Sequence, residues 1–458
     1  MHKLLWPVLL LATLARFAGA ADITVTRLDD PAPGACLPTD CSLREAVIAA
    51  NALPGADRIL LPAGILQLTI VNPSPNPGAV AGDLDLTDDV EIIGVSANTT
   101  SIIAENNDRI FNLISNVNVT LRKMTLGGGM SGFGGAINLY DGTLTVEDAI
   151  IGNNHASGDG GAIRSNSNYE MTLRRVQITN NTASGNGGAI ETGTGGALVV
   201  DSTITGNHAV NGGAIDGYGA RIYRSWIQNN TATGNGGGVH GHAGCSCTAL
   251  EIHESTLSGN GAVQGGGVYA SPPLDIELST FSGNTASSVG GAVFATTTGG
   301  GSSGDGFHIY SSTLHGNTAP GGSAVYFFND VGGLGAPPDF QNTVISGACM
   351  QTGGGSGTFY ALLGNVESPG NTCNLGLFSQ NSVADASLHL GALADNGGPT
   401  PTLLPLAGSA LIDAGWSYVC TSLDQRGYVR ADGNAYCDAG SVEAGALDDV
   451  IFRDGFDF

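Results

Sequence analysis

The sequence predicts an all-β protein: a single-stranded, right-handed parallel β-helix of about eleven or twelve coils with an N-terminal helical cap. Three observations predict this fold. A Gly-Gly-small-Ile/Val unit recurs along the middle of the chain, a hydrophobic-x-x-Asn unit precedes most of its copies, and only short β-rich runs lie between them. Two units that repeat in register indicate one structural module used many times.

The glycine unit returns every 24 to 32 residues, an interval that suits one coil of a β-helix. Three short strands and three turns use about 25 residues, so no crossover helix fits between the units. The main alternative is a β-propeller, whose blades need about 40 residues. The last residues of the unit, which we expect to point inward and to stack on one another, are Ile137, Ile163, Ile190, Ile215, Val239, Val268, Val293 and, in a degenerate copy, Val325.

The asparagine of the second unit lies eight or nine residues before the Ile or Val of a glycine unit. Asparagine tolerates the backbone angles of a bend, and its amide can bond to the asparagines of the coils above and below. We therefore expect a stacked row of asparagines at one corner of the coil, made of Asn154, Asn181, Asn207, Asn230, Asn260, Asn284 and Asn317.

Both ends of the chain depart from the repeat. The start has a short basic segment, an apolar run and a small-x-small cleavage site, as a signal peptide does. Ser42 and Glu45 have capping-box spacing, so a helix is expected there, suited to covering the first coil. The expected divisions are a signal peptide at residues 1–20, an N-terminal cap at 21–56, β-helix repeats at 57–375, and a C-terminal cap or anchor-like region at 376–458.

Composition limits the classes of partner. The chain has 16 Lys and Arg against 40 Asp and Glu, for a formal net charge of −24, so nothing would neutralise the phosphates of a nucleic acid. No segment after the leader reaches 18 apolar residues, so no transmembrane helix is expected. No cofactor is required. Calcium is possible at an acidic segment that is not an EF-hand loop, for which a solvated loop is the favoured alternative; its carboxylates are Asp83, Asp85, Asp88 and Asp89.

The eight cysteines fall in local pairs, and in an exported chain local disulfides are expected for three of them. These are Cys36 with Cys41, Cys349 with Cys373, and Cys420 with Cys437. The fourth pair lies in the segment HGHAGCSC, where His240, His242, Cys245 and Cys247 are all possible zinc or copper ligands. Their order matches no structural zinc spacing, and oxidation of the two cysteines is the favoured alternative.

Three motifs resemble known families. Residues 41–46 read CSLREA, the motif that names the CSLREA domain at the start of exported bacterial β-helix proteins. The repeats resemble the GGA[ILV] and FxxN repeats of polymorphic outer membrane proteins, and LADNGGPTPTLLPLAGSALIDAG is similar to the choice-of-anchor Q region. The resemblance implies a secreted or cell-surface location, and it implies no particular activity.

One outward-facing column of side chains is the best candidate for a site. In a parallel stack, the residue after each inward Ile or Val faces outward, beside its equivalents in the neighbouring coils. Glu191, Asp216 and His240 would then adjoin one another, and carboxylates at that spacing shift each other's pKa, which acid/base or glycoside chemistry can use. The favoured alternative is a solvated ladder of mixed residues with a structural ion pair. The candidate substrate-binding residues of the same column are Arg164, Tyr269, Phe294 and Tyr326.

Two functions remain open from the sequence. The favoured one is a secreted or cell-surface, non-catalytic module for adhesion or for binding carbohydrate or another surface ligand. The alternative is a polysaccharide lyase or glycoside hydrolase of the pectin-lyase-like superfamily that uses Glu191, Asp216 and His240. The NTD and RIK tripeptides of polygalacturonase-like enzymes are absent, and Lys and Arg are scarce, so the enzyme alternative is the weaker one.

Overall fold

The structure is a computed structural model that describes residues 20–72, 78–106, 108–242, 249–271, 273–297, 306–330, 338–353, 359–376, 379–430 and 436–445. It is a β-solenoid of parallel strands with very little helix, so the predicted fold class is confirmed. Most of the leader, the pair Cys245 and Cys247, and the C-terminal tail from residue 446 lie outside the described residues.

The coils of the central repeats pass through four short strands, which we name faces A, B, C and D in chain order. Face A follows the glycine unit, with strands Leu84–Leu86, Phe111–Arg122, Ile137–Glu147, Ile163–Ser165, Ile190–Thr192, Ile215–Gly217, Val239–Gly241, Val268–Ala270, Val293–Thr296, Val325–Asn329 and Cys349–Gly353. Phe111–Arg122 and Ile137–Glu147 continue into face B, so the two faces form one 22-stranded sheet. The other strands of face B are Asp22–Thr24, Asp57–Leu60, Val90–Ile93, Met171–Arg174, Ala197–Val200, Ala220–Tyr223, Leu250–His253, Leu274–Glu277, Phe307–Tyr310, Asp339–Gln341 and Tyr360–Ala361.

Faces C and D complete the coil. Face C has twelve strands: Gly64–Gln67, Thr100–Ile103, Thr125–Gly127, Ile150–Gly152, Gln177–Thr179, Thr203–Thr205, Trp226–Gln228, Thr256–Ser258, Thr280–Ser282, Thr313–His315, Val344–Ser346 and Val366–Ser368. Face D has seven: Met130–Ser131, His155–Ala156, Thr182–Ala183, His208–Ala209, Thr231–Ala232, Gly261–Gln264 and Thr285–Val289. The helices are α1 (Leu43–Ala52), α2 (Asp385–Leu388) and a 3₁₀ turn at Ser417–Val419.

The glycine unit makes the corner between faces D and A. Gly187 has a φ of +66°, a conformation that favours glycine. A Cβ on Gly188 would lie 2.2 Å from the carbonyl oxygen of Gly213 in the next coil, so no side chain fits there. Ile190, which follows, pairs with Ile215 of the next coil and is fully buried. Each unit therefore turns the chain, lets two coils approach and sends an apolar side chain into the core.

The expected row of asparagines is present at the corner between faces C and D. Each of the first six donates from its backbone N–H and its Nδ2 to the Oδ1 of the next, at 2.9 or 3.0 Å. All seven side chains are buried, and most of their amides also donate to a core carbonyl, as Asn230 does to Ile204. The row satisfies polar groups that would be costly to bury unpaired.

The predicted helical cap is also present. Ser42 is the N-cap of α1, and its side chain and that of Glu45 form the reciprocal capping box. Leu43 and Val47 are buried in the same core as the first coils. Arg44 is fully buried as well. Its guanidinium pairs with Asp30 at 2.7 Å and donates to two backbone carbonyls, and these partners compensate the burial of its charge.

The C-terminal segment, described over residues 379–430 and 436–445, lies along the side of face C. Gln425 is buried there and donates to the backbone oxygen of Ser255 and to Thr256, and it accepts from Thr280. The backbone N–H of Ser441 donates to Thr313, which lies two coils beyond Thr256. The segment thus crosses several coils of face C.

The three predicted disulfides, Cys36–Cys41, Cys349–Cys373 and Cys420–Cys437, are all formed. Within the described ranges, no helix combines the length and the apolar composition that crossing a bilayer requires.

The asparagine row predicts the outcome of one substitution. Asn230→Ala removes the acceptor of two N–H groups of Asn207 and the donors to Ile204 and Asn260. Because each unpaired buried polar group costs about 1–3 kcal/mol, we expect the free energy of unfolding to fall by about 3 kcal/mol or more. Urea unfolding followed by circular dichroism measures it. The matched control is Asn229→Gly, at an exposed neighbour with a φ of +53° that glycine accepts; equal losses in both variants would contradict this role.

Candidate functional site

One column of outward-facing side chains runs along face A. Each member is the second residue of its strand or the equivalent position, and each pairs with the next by parallel register. We call it the face A column; its members are Asp85, Asn112, Asn138, Arg164, Glu191, Asp216, His240, Tyr269, Phe294, Tyr326 and Met350. The structure therefore brings all seven candidate site residues into one row, in the order that their spacing predicts.

Glu191 and Arg164 form the first charged pair of the column. The Nε of Arg164 lies 3.5 Å from the Oε2 of Glu191, and its guanidinium packs 4.7 Å from the ring centre of Phe133. Among the described residues, Glu191 Oε2 is buried and accepts no hydrogen bond. Burial raises the pKa of Glu191 from its ordinary 4.5 to about 7, against the opposing effect of Arg164. Glu191 is therefore a carboxyl group that exchanges its proton near neutral pH.

The pKa of Asp216, the next carboxylate of the column, is shifted in the opposite direction. Asp216 is 1% exposed, and its Oδ1 accepts a hydrogen bond from His240 Nδ1 at 2.6 Å. Its Oδ2 lies 2.9 Å from His242 Nε2. Burial acts to raise the pKa of Asp216, but the contacts with the two histidines outweigh burial and lower the pKa. The pKa values of two adjacent carboxyl groups are thus shifted in opposite directions, an arrangement that acid/base enzymes use.

The sequence offered His242 only as one of four possible zinc or copper ligands in the segment HGHAGCSC, and not as a partner of Asp216. His242 follows the strand Val239–Gly241, two residues after His240, and contact with the Asp216 carboxylate raises the pKa of His242. Its ring centre lies 4.6 Å from that of His240 and 5.2 Å from that of Tyr218. The sequence shows the H-x-H spacing of His240 and His242. It does not show that both histidines contact Asp216, which is buried one coil away.

The aromatic residues continue the column beyond His240. The rings of Tyr269 and Phe294 stack at 4.5 Å with an interplanar angle of 6°, and those of Phe294 and Tyr326 stack at 5.2 Å and 15°. Because the rings stack on one another, the inner faces of the stack are covered. Phe294 is accordingly only 5% exposed. A ligand beside the stack would meet ring edges and the two tyrosine hydroxyls.

A groove of about 360 Å³ borders the aromatic stack at the edge between faces D and A. Its lining residues are Gln264, Tyr269, Ser288, Val289, Phe294, Tyr326 and Phe328. Burial raises the pKa of Tyr269, so its hydroxyl remains a neutral hydrogen-bond donor. The groove therefore combines aromatic edges with hydroxyl and amide groups, a mixture typical of small-molecule sites of this size.

The four candidate calcium ligands, Asp83, Asp85, Asp88 and Asp89, have partners within the protein. Asp83 pairs with Arg109 at 3.0 Å, and Asp85 accepts from Asn112 at 2.8 Å. Asp89 accepts from the backbone and side-chain N–H groups of Asn118. Among the residues that the structure describes, the group of three metal-type ligands that converges is Asp216, His240 and His242.

The raised pKa of Glu191 predicts a pH-dependent stability. The folded state holds the proton more tightly than the unfolded chain, so its stability falls as the pH rises from 4.5 through 7. Glu191→Gln removes that penalty. Relative to wild type, its free energy of unfolding should therefore gain up to about 3 kcal/mol between pH 4 and pH 8. Denaturation at the two pH values measures the difference; a gain that does not change with pH would contradict the raised pKa.

Comparison with known proteins agrees with the repeat architecture. The family described as Chlamydia polymorphic membrane protein (Chlamydia_PMP) repeat matches residues 175–193 and 279–296. Each stretch contains one asparagine unit and one glycine unit, the two corners on either side of face D. No curated protein and no solved structure matches the chain. The chain is therefore similar to this repeat family in two of its coils.

Proposed function

We propose that the protein is a surface-associated, non-catalytic β-helix that binds neutral carbohydrate in the groove beside the aromatic stack. The two matches to a polymorphic membrane protein repeat support a cell-surface location. Three disulfides support an extracellular one, because disulfides persist in oxidising compartments. The groove is the observation that carries the binding role.

Carbohydrate suits the groove because a sugar presents apolar C–H groups and hydroxyl groups together. Phe294, Phe328 and Val289 supply apolar surface, while Gln264 and Ser288 supply hydrogen-bonding groups. The hydroxyl of Tyr326 lies 2.5 Å from that of Thr352, which holds the ring in place. Rigid aromatic side chains lose little entropy on binding, which favours such surfaces in recognition.

The charge of the groove and of the whole chain indicates which class of carbohydrate the groove binds. None of the residues that line the groove is Lys, Arg or His, while the chain as a whole carries a formal charge of −24. A uronic acid or sulfated sugar would meet repulsion and no cationic partner. The groove therefore favours neutral sugars.

A second candidate function is cleavage of a bound polysaccharide. One observation favours it: Glu191 has a pKa of about 7, while the pKa of Asp216 beside it is lowered. A protonated acid next to an ionised carboxylate is the combination that glycoside hydrolysis uses. Both side chains lie in the same column as the aromatic stack, so a long chain bound along face A would pass over them.

Substitutions in the groove test the binding role. Tyr269→Ala and Tyr326→Ala should each weaken binding of neutral oligosaccharides about tenfold, since each removes a ring edge and a hydroxyl. Tyr269→Phe keeps the ring and should lose less. Binding is measured by calorimetry, after a glycan array has identified a neutral ligand.

The matched control is Tyr140→Ala, an exposed tyrosine of the strand Ile137–Glu147 that does not line the groove. It should bind as wild type does. If no neutral glycan binds, if acidic glycans bind better, or if Tyr140→Ala weakens binding as much as Tyr269→Ala, the groove is not the site.

The cleavage candidate predicts turnover that depends on Glu191. Glu191→Gln should abolish product formation, because an amide cannot donate the proton, while oligosaccharide binding in the groove persists. Reducing-end assays on neutral and acidic polysaccharides measure the rate. Absence of turnover by the wild-type protein on all of them would remove this candidate and leave the binding role standing.

A further inference from the structure

We propose that Asp216, His240 and His242 form a binding site for a divalent transition-metal ion of the zinc type. One carboxylate and two imidazoles offer ligand atoms that all lie within 4.8 Å of one another. This site is separate from the carbohydrate groove and does not depend on the proposed function. It rests on the geometry of three described side chains.

Each histidine places a ring nitrogen against one oxygen of the Asp216 carboxylate. His240 Nδ1 lies 2.6 Å from Asp216 Oδ1, and His242 Nε2 lies 2.9 Å from Asp216 Oδ2. Zinc binds such nitrogen and oxygen atoms at about 2.0–2.2 Å, which separates two ligands of a tetrahedral ion by about 3.3 Å. The contact of His240 with Asp216 must therefore open by about 0.7 Å, and that of His242 by about 0.4 Å, to admit the ion.

His242 Nε2 has Asp216 Oδ2 as its partner, at 2.9 Å, but the contact lacks the geometry of a hydrogen bond. A metal ion would replace this contact by accepting the lone pair of the nitrogen, and would at the same time neutralise the buried carboxylate of Asp216.

The backbone holds the three ligands rigidly. Asp216 lies on the strand Ile215–Gly217, whose parallel partner Val239–Gly241 carries His240. His242 follows two residues later, and its backbone N–H donates to the carbonyl oxygen of Gly217, beside Asp216, at 2.8 Å. Tyr218 and Gly241 are among the residues around a cavity of about 10 Å³ beside the two histidines. That volume is close to what a single water molecule occupies, so a fourth ligand has room.

The donor set selects the kind of ion. Calcium and magnesium prefer oxygen ligands, and this cluster offers one carboxylate and two imidazole nitrogens. Three protein ligands with an open fourth position are characteristic of accessible zinc sites.

The test is metal binding by the full-length protein after chelator treatment and dialysis. We expect calorimetry to show one Zn²⁺ bound per chain, with a dissociation constant in the micromolar range or tighter. Co²⁺ in place of Zn²⁺ should give the visible absorption of a four-coordinate ion. Asp216→Asn and His242→Gln should each weaken binding by at least about 100-fold, more than the loss of a residue that only supports a ligand.

Two control variants separate this site from other sources of binding. His308 also contacts a carboxylate, that of Asp339, at 2.6 Å, but it is not part of a three-ligand group, so His308→Gln should bind zinc as wild type does. The double variant Cys245→Ser/Cys247→Ser should also retain binding, because neither thiol belongs to the proposed set.

Three results would overturn the proposal: no stoichiometric Zn²⁺ on the wild-type chain, loss of binding in the double serine variant, or unchanged binding in His242→Gln. If Asp216→Asn does not fold, as its circular dichroism will show, His242→Gln decides. The side chain of His242 is 30% exposed, so its replacement does not disturb the core.

Discussion

The stacking of each coil on the next in one fixed register is the constraint on which the rest of this structure depends. The backbone hydrogen bonds of parallel strands favour one register only weakly over its neighbours. Contacts between side chains must therefore fix the register. The buried asparagines do this, since each bonds to the next with both its backbone and its side-chain N–H. A slip of one residue would break every one of these bonds and turn the inward Ile and Val toward solvent.

Because the corners set the register, the length of the loops between them has little effect on how the coils pair. Val239 and Val268 are 29 residues apart, and Val293 and Val325 are 32 apart, yet both pairs remain in register. The strands on either side of each longer interval keep their pairing, and loop closure costs little more as length grows. The repeat can therefore vary its surface without changing its core, and the face A column is where this variation brings chemically different side chains together.

Much of the fold and part of the site follow from the sequence for this reason. The offset of one residue from each inward Ile or Val was sufficient to place Glu191 beside Asp216, and Asp216 beside His240. His242 was missed as their partner because it follows the end of its strand, where the alternating pattern no longer says which way a side chain points.

Other contacts do not follow from the repeat spacing. The buried pair of Arg44 and Asp30 joins two segments outside the repeats. A second polar row, in which the backbone N–H of Ser202 donates to Ser225 and that of Ser225 to Ser255, does recur at the coil spacing, but the spacing alone did not show that its serines are buried and bonded to one another. Burial and partner choice at such positions depend on the three-dimensional path, so spacing alone does not predict them.

The C-terminal segment determines which surfaces remain for binding. Its described contacts with the solenoid fall on face C, its corners and the last coils, through Gln425, Ser441 and Trp416. Helix α1 packs against the first coils at the other end. Among the described residues, the contacts of the C-terminal segment and of α1 leave uncovered faces A and D, which carry the charged cluster and the groove. The helix α1 thus caps one end of the solenoid, the C-terminal segment covers face C, and the candidate binding residues lie on faces A and D. The side with the most varied residues is the one that neither of them covers.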